Sequence, residues 1–112
     1  MTLGALVFLA LSVSRKEVVI TIDDLCFVGA ATDFATVRAN TELLLKPIAE
    51  QKIPAIGFVV GSSFDRYKPQ ERQALYDLWV KAGCQLGNHT WTHANYDEVS
   101  SQAYEAEIKR TD

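Results

Sequence analysis

The sequence predicts an α/β fold in which parallel strands alternate with helices, and three observations carry that expectation. Two short apolar runs rich in β-branched residues, "VVITI" at Val18–Ile22 and "AIGFVV" at Ala55–Val60, have the near-continuous hydrophobicity of strands buried on both faces. Each is followed by a longer stretch with apolar residues at helical spacing. Pro69 and Gly83 then bracket the second of those stretches as a start and a stop.

In chain order, Glu17–Ile22 is the first expected strand and Phe27–Asp33, with its Gly, Ala and Thr, a loop. Thr36–Gln51 places Val37, Leu44 and Ile48 on one side and predicts a helix. Pro47 conflicts with it, because proline removes a backbone donor and would kink the last turns or end the helix early. Ala55–Val60 is the second strand and Gly61–Lys68 a loop. Pro69–Ala82 is a helix with Leu75, Leu78 and Trp79 inward. Cys84–Gly87 is a short third strand. Ser100–Arg110 is a last helix, capped by Ser100 or Ser101, with Tyr104 and Ile108 on one face. The order β-α-β-α-β-loop-α implies right-handed crossovers and a parallel sheet, open or barrel-shaped. Active sites in such folds lie at the C-terminal ends of the strands.

Size and composition narrow the field. The chain of 112 residues is enough for one small domain, and 48% apolar with 22% charged residues is ordinary for a soluble globular protein. The net charge of -3, with acids and bases mixed, argues against nucleic acid as a partner. No internal repeat or low-complexity segment stands out. Leu3–Val13 is an apolar run broken only by Ser12, too short for a helix that crosses a bilayer, which needs roughly 20 residues. It has the length of a signal-peptide core, with Ser12 and Ser14 placed for cleavage, though no Lys or Arg precedes it. Residues 1–14 are therefore expected to be an export signal, and residues 15–112 the domain proper. The alternative is a mis-started or truncated end that happens to be apolar. Cys26 and Cys84 should fall at opposite ends of neighbouring parallel strands, about 17 Å apart, so two unpaired thiols are expected.

Two motifs lie where a site belongs. "DDL" ends the first strand, and "NHTWTH", which holds both histidines of the chain, follows the third. Asp23 and Asp24 can converge only if the strand stops between them, since neighbouring side chains on a strand point to opposite faces. One carboxylate could then bind a metal while the other serves as general base. The bland alternative is a solvated acidic pair that begins a turn. His89 and His93 stand at i and i+4, so a single helical turn would bring both rings to one side. They could equally be a loop pair with no ligand. Asp24 with His89 and His93 makes a donor set that leaves coordination positions open, as catalysis requires. Asn88, Thr90 and Thr92 could orient these ligands by hydrogen bonding. Trp91 could stack on a sugar or pack on the third strand. The same donors also form the facial triad of non-haem iron oxygenases; Asp23, as an adjacent base, favours hydrolysis.

These residues resemble a known family. "TIDDL" resembles the Thr-Phe-Asp-Asp-Gly motif of the polysaccharide deacetylases (NodB-homology proteins, carbohydrate esterase family 4), and "HTWTH" fits their His-Ser/Thr-x-x-His motif. "KIPAIGFVVG" and "AGCQLGNHT" are similar to their two intervening stretches, so the likeness extends from Lys16 to Thr111. The resemblance implies the N-terminal portion of a distorted (β/α) barrel. It implies Asp23 as catalytic base, and Asp24, His89 and His93 as ligands of a divalent metal, usually zinc and sometimes cobalt or nickel. Metal-bound water would attack the carbonyl of an N- or O-acetyl group on a carbohydrate such as a chitin oligosaccharide or peptidoglycan, making the chain a hydrolase of carbon–nitrogen, but not peptide, bonds. Leu25 stands where the family has Gly, and Cys26 where Pro is common, so Cys26 is either a soft ligand or a spectator thiol. The family's later arginine, pocket residues and histidine general acid have no counterpart in these residues. Three strands cannot close a barrel. The expectation is therefore a domain that needs a further barrel half or partner chain, and the alternative function is a non-catalytic remnant that keeps the metal.

Overall fold

The computed structural model describes residues 16–26 and 33–112. The segment expected as an export signal, and most of the expected Phe27–Asp33 loop, lie outside the described residues. The elements run β1 (Ile20–Leu25), α1 (Phe34–Glu50), β2 (Ala55–Val59), α2 (Pro69–Lys81), β3 (Gln85–Asn88) and α3 (Ser101–Thr111), with short 3-10 turns at Gly61–Phe64 and Tyr96–Glu98. The strands form one parallel sheet in the order β1-β2-β3, with Ile20 opposite Ala55 and Ile56 opposite Gln85. This is the α/β pattern expected, and it corresponds to part of a (β/α) barrel.

Local chemistry explains where the helices begin and end. Asp33 caps α1, its carboxylate accepting the Thr36 N–H at 2.9 Å. Pro47 does not end α1 early, as the helix continues to Glu50. Leu43, whose carbonyl loses a donor to the proline ring, is 71% exposed, so solvent can replace that bond. Pro69 opens α2 at its first turn, and Glu71 reaches back to accept the Lys68 N–H at 2.9 Å. At the other end Gly83 takes φ +84, its N–H donating to the Val80 carbonyl while Cys84 N–H donates to that of Trp79. That pair of bonds is the Schellman stop that glycine permits, and it delivers the chain into β3 almost without a linker. Ser100 caps α3 through its hydroxyl, which accepts the Ala103 N–H.

One face of the sheet is covered. Val37, Thr41, Leu45 and Ile48 of α1 and Leu75 and Trp79 of α2 are buried against Leu25, Ala55 and Val59. A Cβ on Gly57 would come within 2.8 Å of both Leu25 Cδ2 and Trp79 Cε3, so the strand and helix layers touch there without room for a methyl group. The alternate residues of β2, Ile56 and Phe58, point the other way and are only half-buried.

Three expectations are corrected. β1 was expected at residues 17–22 and buried on both faces, but its pairing with β2 begins at Ile20, and Val18 and Val19 are 74% and 72% exposed. Among the described residues it is an edge strand with one covered face, and only its C-terminal end enters the core. Second, α1 begins at Phe34 rather than at the expected Thr36, with Asp33 as its cap; α3, for its part, contains no buried residue. Third, β3 and its neighbours are shifted by one residue from the expected bounds, the ordinary scatter of fraying ends. Cys26 and Cys84 are both buried and unpaired, as expected from their opposite ends of the sheet.

Candidate metal centre

The site is built at the C-terminal ends of β1 and β3. The expected break between Asp23 and Asp24 does not occur, because β1 continues through Leu25. The strand bulges instead. Its register with β2 shifts between Ile22 and Leu25, and Asp24 takes a left-handed φ of 60. A bulge re-aims one side chain without ending the strand. Counted from Thr21 and Ile22, whose pairing with β2 is regular, strand alternation puts Asp23 on the face of Phe58, which carries no helix among the described residues, while Asp24 falls within the shift.

The bulged end is tied down from the next loop. Val60 N–H donates to the Leu25 carbonyl at 3.0 Å. Ser63 Oγ accepts the Cys26 N–H at 3.0 Å and reaches the Leu25 and Val60 carbonyls at 2.8 and 2.7 Å. The Cys26 thiol lies against the Ser63 carbonyl at 3.7 Å, and burial pushes its pKa up. It is not among the groups that converge with the histidines, so the spectator reading is the one its position fits.

No helical turn brings the histidines together. Residues 89–95 carry no helix, and the i, i+4 pair converges because Thr90 and His93 both take left-handed backbone, at φ 65 and 59. Of four non-glycine residues with positive φ among the described residues, three (Asp24, Thr90 and His93) are at this site. Each such conformation costs on the order of 1–3 kcal/mol, so the surrounding contacts must over-determine it. His89 N–H donates to the Val59 carbonyl at 2.9 Å, and Gly61 and Ser62 N–H donate to the Thr90 and Trp91 carbonyls. The His89 ring packs on Phe58 at 5.9 Å and meets His93 edge-on at 4.7 Å.

The outcome is convergence. Asp24 Oδ1 stands 3.5 Å from Nε2 of His89 and 3.5 Å from Nε2 of His93, and one donor atom from each residue lies within 4.8 Å of the others. An imidazole donating to a carboxylate closes to about 2.7–2.9 Å. Donors that share a tetrahedral zinc at about 2.0–2.1 Å sit about 3.3–3.4 Å apart. The Asp24–histidine spacing matches shared coordination better than hydrogen bonding, and three donors leave a fourth position free. The donor set therefore fits a divalent cation.

The neighbouring polar residues act on the backbone rather than on the rings. Asn88 Oδ1 accepts the Thr90 N–H at 2.8 Å, and its Nδ2 donates to the Ile108 carbonyl and to Asp112 Oδ1. Thr92 donates both its N–H and its hydroxyl to Glu107 Oε2, at 2.6 and 2.8 Å. Those bonds, the backbone one foremost, hold the Glu107 carboxyl below the usual carboxylate range. Thr90 Oγ1 is buried without a hydrogen-bond partner among the described residues. Trp91 packs, but on the backbone of Gly61 rather than on β3: a Cβ there would lie 2.3 Å from its ring. The Arg110 guanidinium covers the ring at 4.0 Å from its centroid. The loop after β2, which contains Ser63, flanks the site as the strand order implies; Phe58 and Glu107 were not legible as site residues, since their approach to the motifs exists only in three dimensions.

A three-stranded part of a (β/α) barrel with an Asp-His-His donor set at its strand ends defines the class. Within it, the sequence model of the polysaccharide deacetylases matches residues 10–112, and the chain belongs to that family. Among solved structures, the chain is similar to peptidoglycan deacetylase PdaC from Bacillus subtilis, with 26% identity and a TM-score of 0.56 over 87% of this chain. The match spans 41% of that chain. No curated protein matches. Among the described residues, no helix is long and apolar enough to cross a membrane.

Proposed function

We propose that this chain carries the metal-binding part of a carbohydrate deacetylase, with Asp24, His89 and His93 as ligands and Asp23 as general base. The observation that carries the reading is the equal 3.5 Å approach of Asp24 Oδ1 to both imidazole Nε2 atoms. The family membership and the likeness to a peptidoglycan deacetylase support hydrolysis of an N-acetyl group on peptidoglycan or chitin-like saccharides. Two neutral imidazoles and one carboxylate suit zinc, with cobalt or nickel as substitutes. When bound, such a cation supplies Lewis acidity towards a water and an acetyl carbonyl. Asp24 contributes the single negative ligand charge and the imidazoles keep the set compact. Asp23, on the open face and outside the converging donors, accepts the proton that the attacking water gives up. Acetate and a free amine leave. An envelope polysaccharide as substrate accords with export by the apolar Leu3–Val13 segment.

The test is acetate release from acetylated chitooligosaccharides and peptidoglycan fragments with zinc or cobalt added. Turnover abolished by Asp23→Asn supports the reading. A folded, metal-loaded sample that releases no acetate from either substrate supports the non-catalytic remnant. The oxygenase alternative is tested by iron(II)- and oxygen-dependent turnover of a 2-oxo acid.

A further inference from the structure

The two histidines are held by different parts of the molecule. His89 follows directly from β3 and its own N–H is bonded to β2. The backbone of Thr90 and Trp91 is bonded to the 3-10 turn after β2. Beyond Trp91 that support stops. His93 is left-handed, its side chain is 59% exposed, and the hydrogen bonds given to the adjacent Thr92 go to a single acceptor, Glu107 of α3. Glu107 belongs to a helix with no buried residue, whose Tyr104 meets Tyr96 edge-on at 5.0 Å. Its contacts with the site loop are polar or ring-stacking: Glu107 on Thr92, Arg110 on Trp91, and the Ile108 carbonyl and Asp112 on Asn88. All four come from the C-terminal end of α3 and its cap residue, Asp112.

We infer that Glu107 is a positioning residue for the metal centre: by accepting both Thr92 donors it fixes the His93 arm, so that the affinity and geometry of the cation depend on a carboxylate that does not touch it. The inference rests on the proposed metal reading. A carboxylate oxygen that takes a backbone N–H and a hydroxyl together defines both the position and the rotation of the residue before His93. Outer partners of this kind typically alter metal affinity by roughly 10–100-fold. The helix thus serves as a strut to the loop and not as part of the core.

The experiment titrates cobalt(II) into the full chain, reading affinity and the visible absorption of the bound ion, for wild type, Glu107→Ala, Glu107→Gln and Glu105→Ala. Glu105 pairs with Lys109 on the same helix but makes no bond to the loop, so it controls for loss of helix stability. The expected result is a loss of roughly tenfold or more for Glu107→Ala with an altered spectrum, and substantial rescue by Glu107→Gln, which keeps an acceptor oxygen. Glu105→Ala should match wild type. Unchanged affinity and spectrum in Glu107→Ala, or an equal loss in Glu105→Ala, overturns the inference while leaving the metal reading intact. No cobalt binding by the wild-type chain overturns both. If Glu107→Ala does not fold, Thr92→Val decides: a weakened, spectrally altered site supports the strut, and a site identical to wild type removes it.

Discussion

The two faces of the sheet are built to opposite specifications. On one, Leu25, Gly57 and Val59 meet Trp79, Leu75 and Leu45 in a layer so tight that a methyl group on Gly57 has no space. On the other, Thr21, Asp23, Ile56 and Phe58 carry no helix among the described residues, and the donor cluster, whose His89 packs on Phe58, sits at its rim. The difference teaches that stability and chemistry are divided along the strand period of two: in β2 a residue's parity decides which it serves, and in β1 the bulge before Leu25 resets the count. The covered face answers the hydrophobic term, while the open face keeps carboxylates and imidazoles where solvent and substrate can reach them.

That division can be broken at several points. The largest expected effect is on the open face: Asp23→Asn should lower acetate release by about 10²–10⁴-fold while cobalt affinity and the urea midpoint stay unchanged. A large drop in stability in that variant would show that the face is structural after all. On the covered face, Trp79→Ala should cost about 3–5 kcal/mol in urea denaturation, since the ring is 3% exposed and its removal leaves a cavity. A pair of glycines sharpens the contrast. Gly57→Ala forces a Cβ against packed Leu25 and Trp79 and should cost about 1–3 kcal/mol. Gly87→Ala meets the Phe58 ring at 2.6 Å, but that ring is half-buried on the open face and can swing away, so the cost should be the smaller of the two. Equal costs would dissolve the distinction. The smallest effect is one of pH. The Glu107 carboxyl titrates lower folded than unfolded, so its support of the loop is complete above its ordinary carboxylate range and is lost as pH falls through the lowered value. Glu107→Gln should flatten that acid limb in a urea-denaturation profile.

The order of elements was legible because β2, α1 and α2 obey simple rules: apolar alternation or helical spacing, a proline start, a glycine stop. The donor residues were legible as types in motifs. Their convergence was predicted for reasons the structure replaces. A strand that stops after Asp23 and a helical turn from His89 to His93 are both regular-geometry arguments, whereas the chain uses a bulge at Asp24 and left-handed residues at Thr90 and His93. Such conformations leave only a faint signal in residue type when glycine is not used, Asp and His being the kinds that tolerate them better and Thr not. The exposure of Val18 and Val19 was equally hidden, because an apolar run does not reveal whether its strand lies at the centre or the edge of a sheet. Glu107 could not be found at all from sequence: a glutamate on an amphipathic helix is ordinary until the helix is seen to touch the loop.

The outer rim of β1 has a bearing on handling the protein. From Val18 to Ile20 the backbone runs beside exposed valine and isoleucine side chains with no strand beyond it among the described residues. Such a border is a template on which an extended segment of any second polypeptide can lay down hydrogen bonds. Solutions of this chain should therefore cloud with rising protein concentration, and a single lysine at Val19 should clear them.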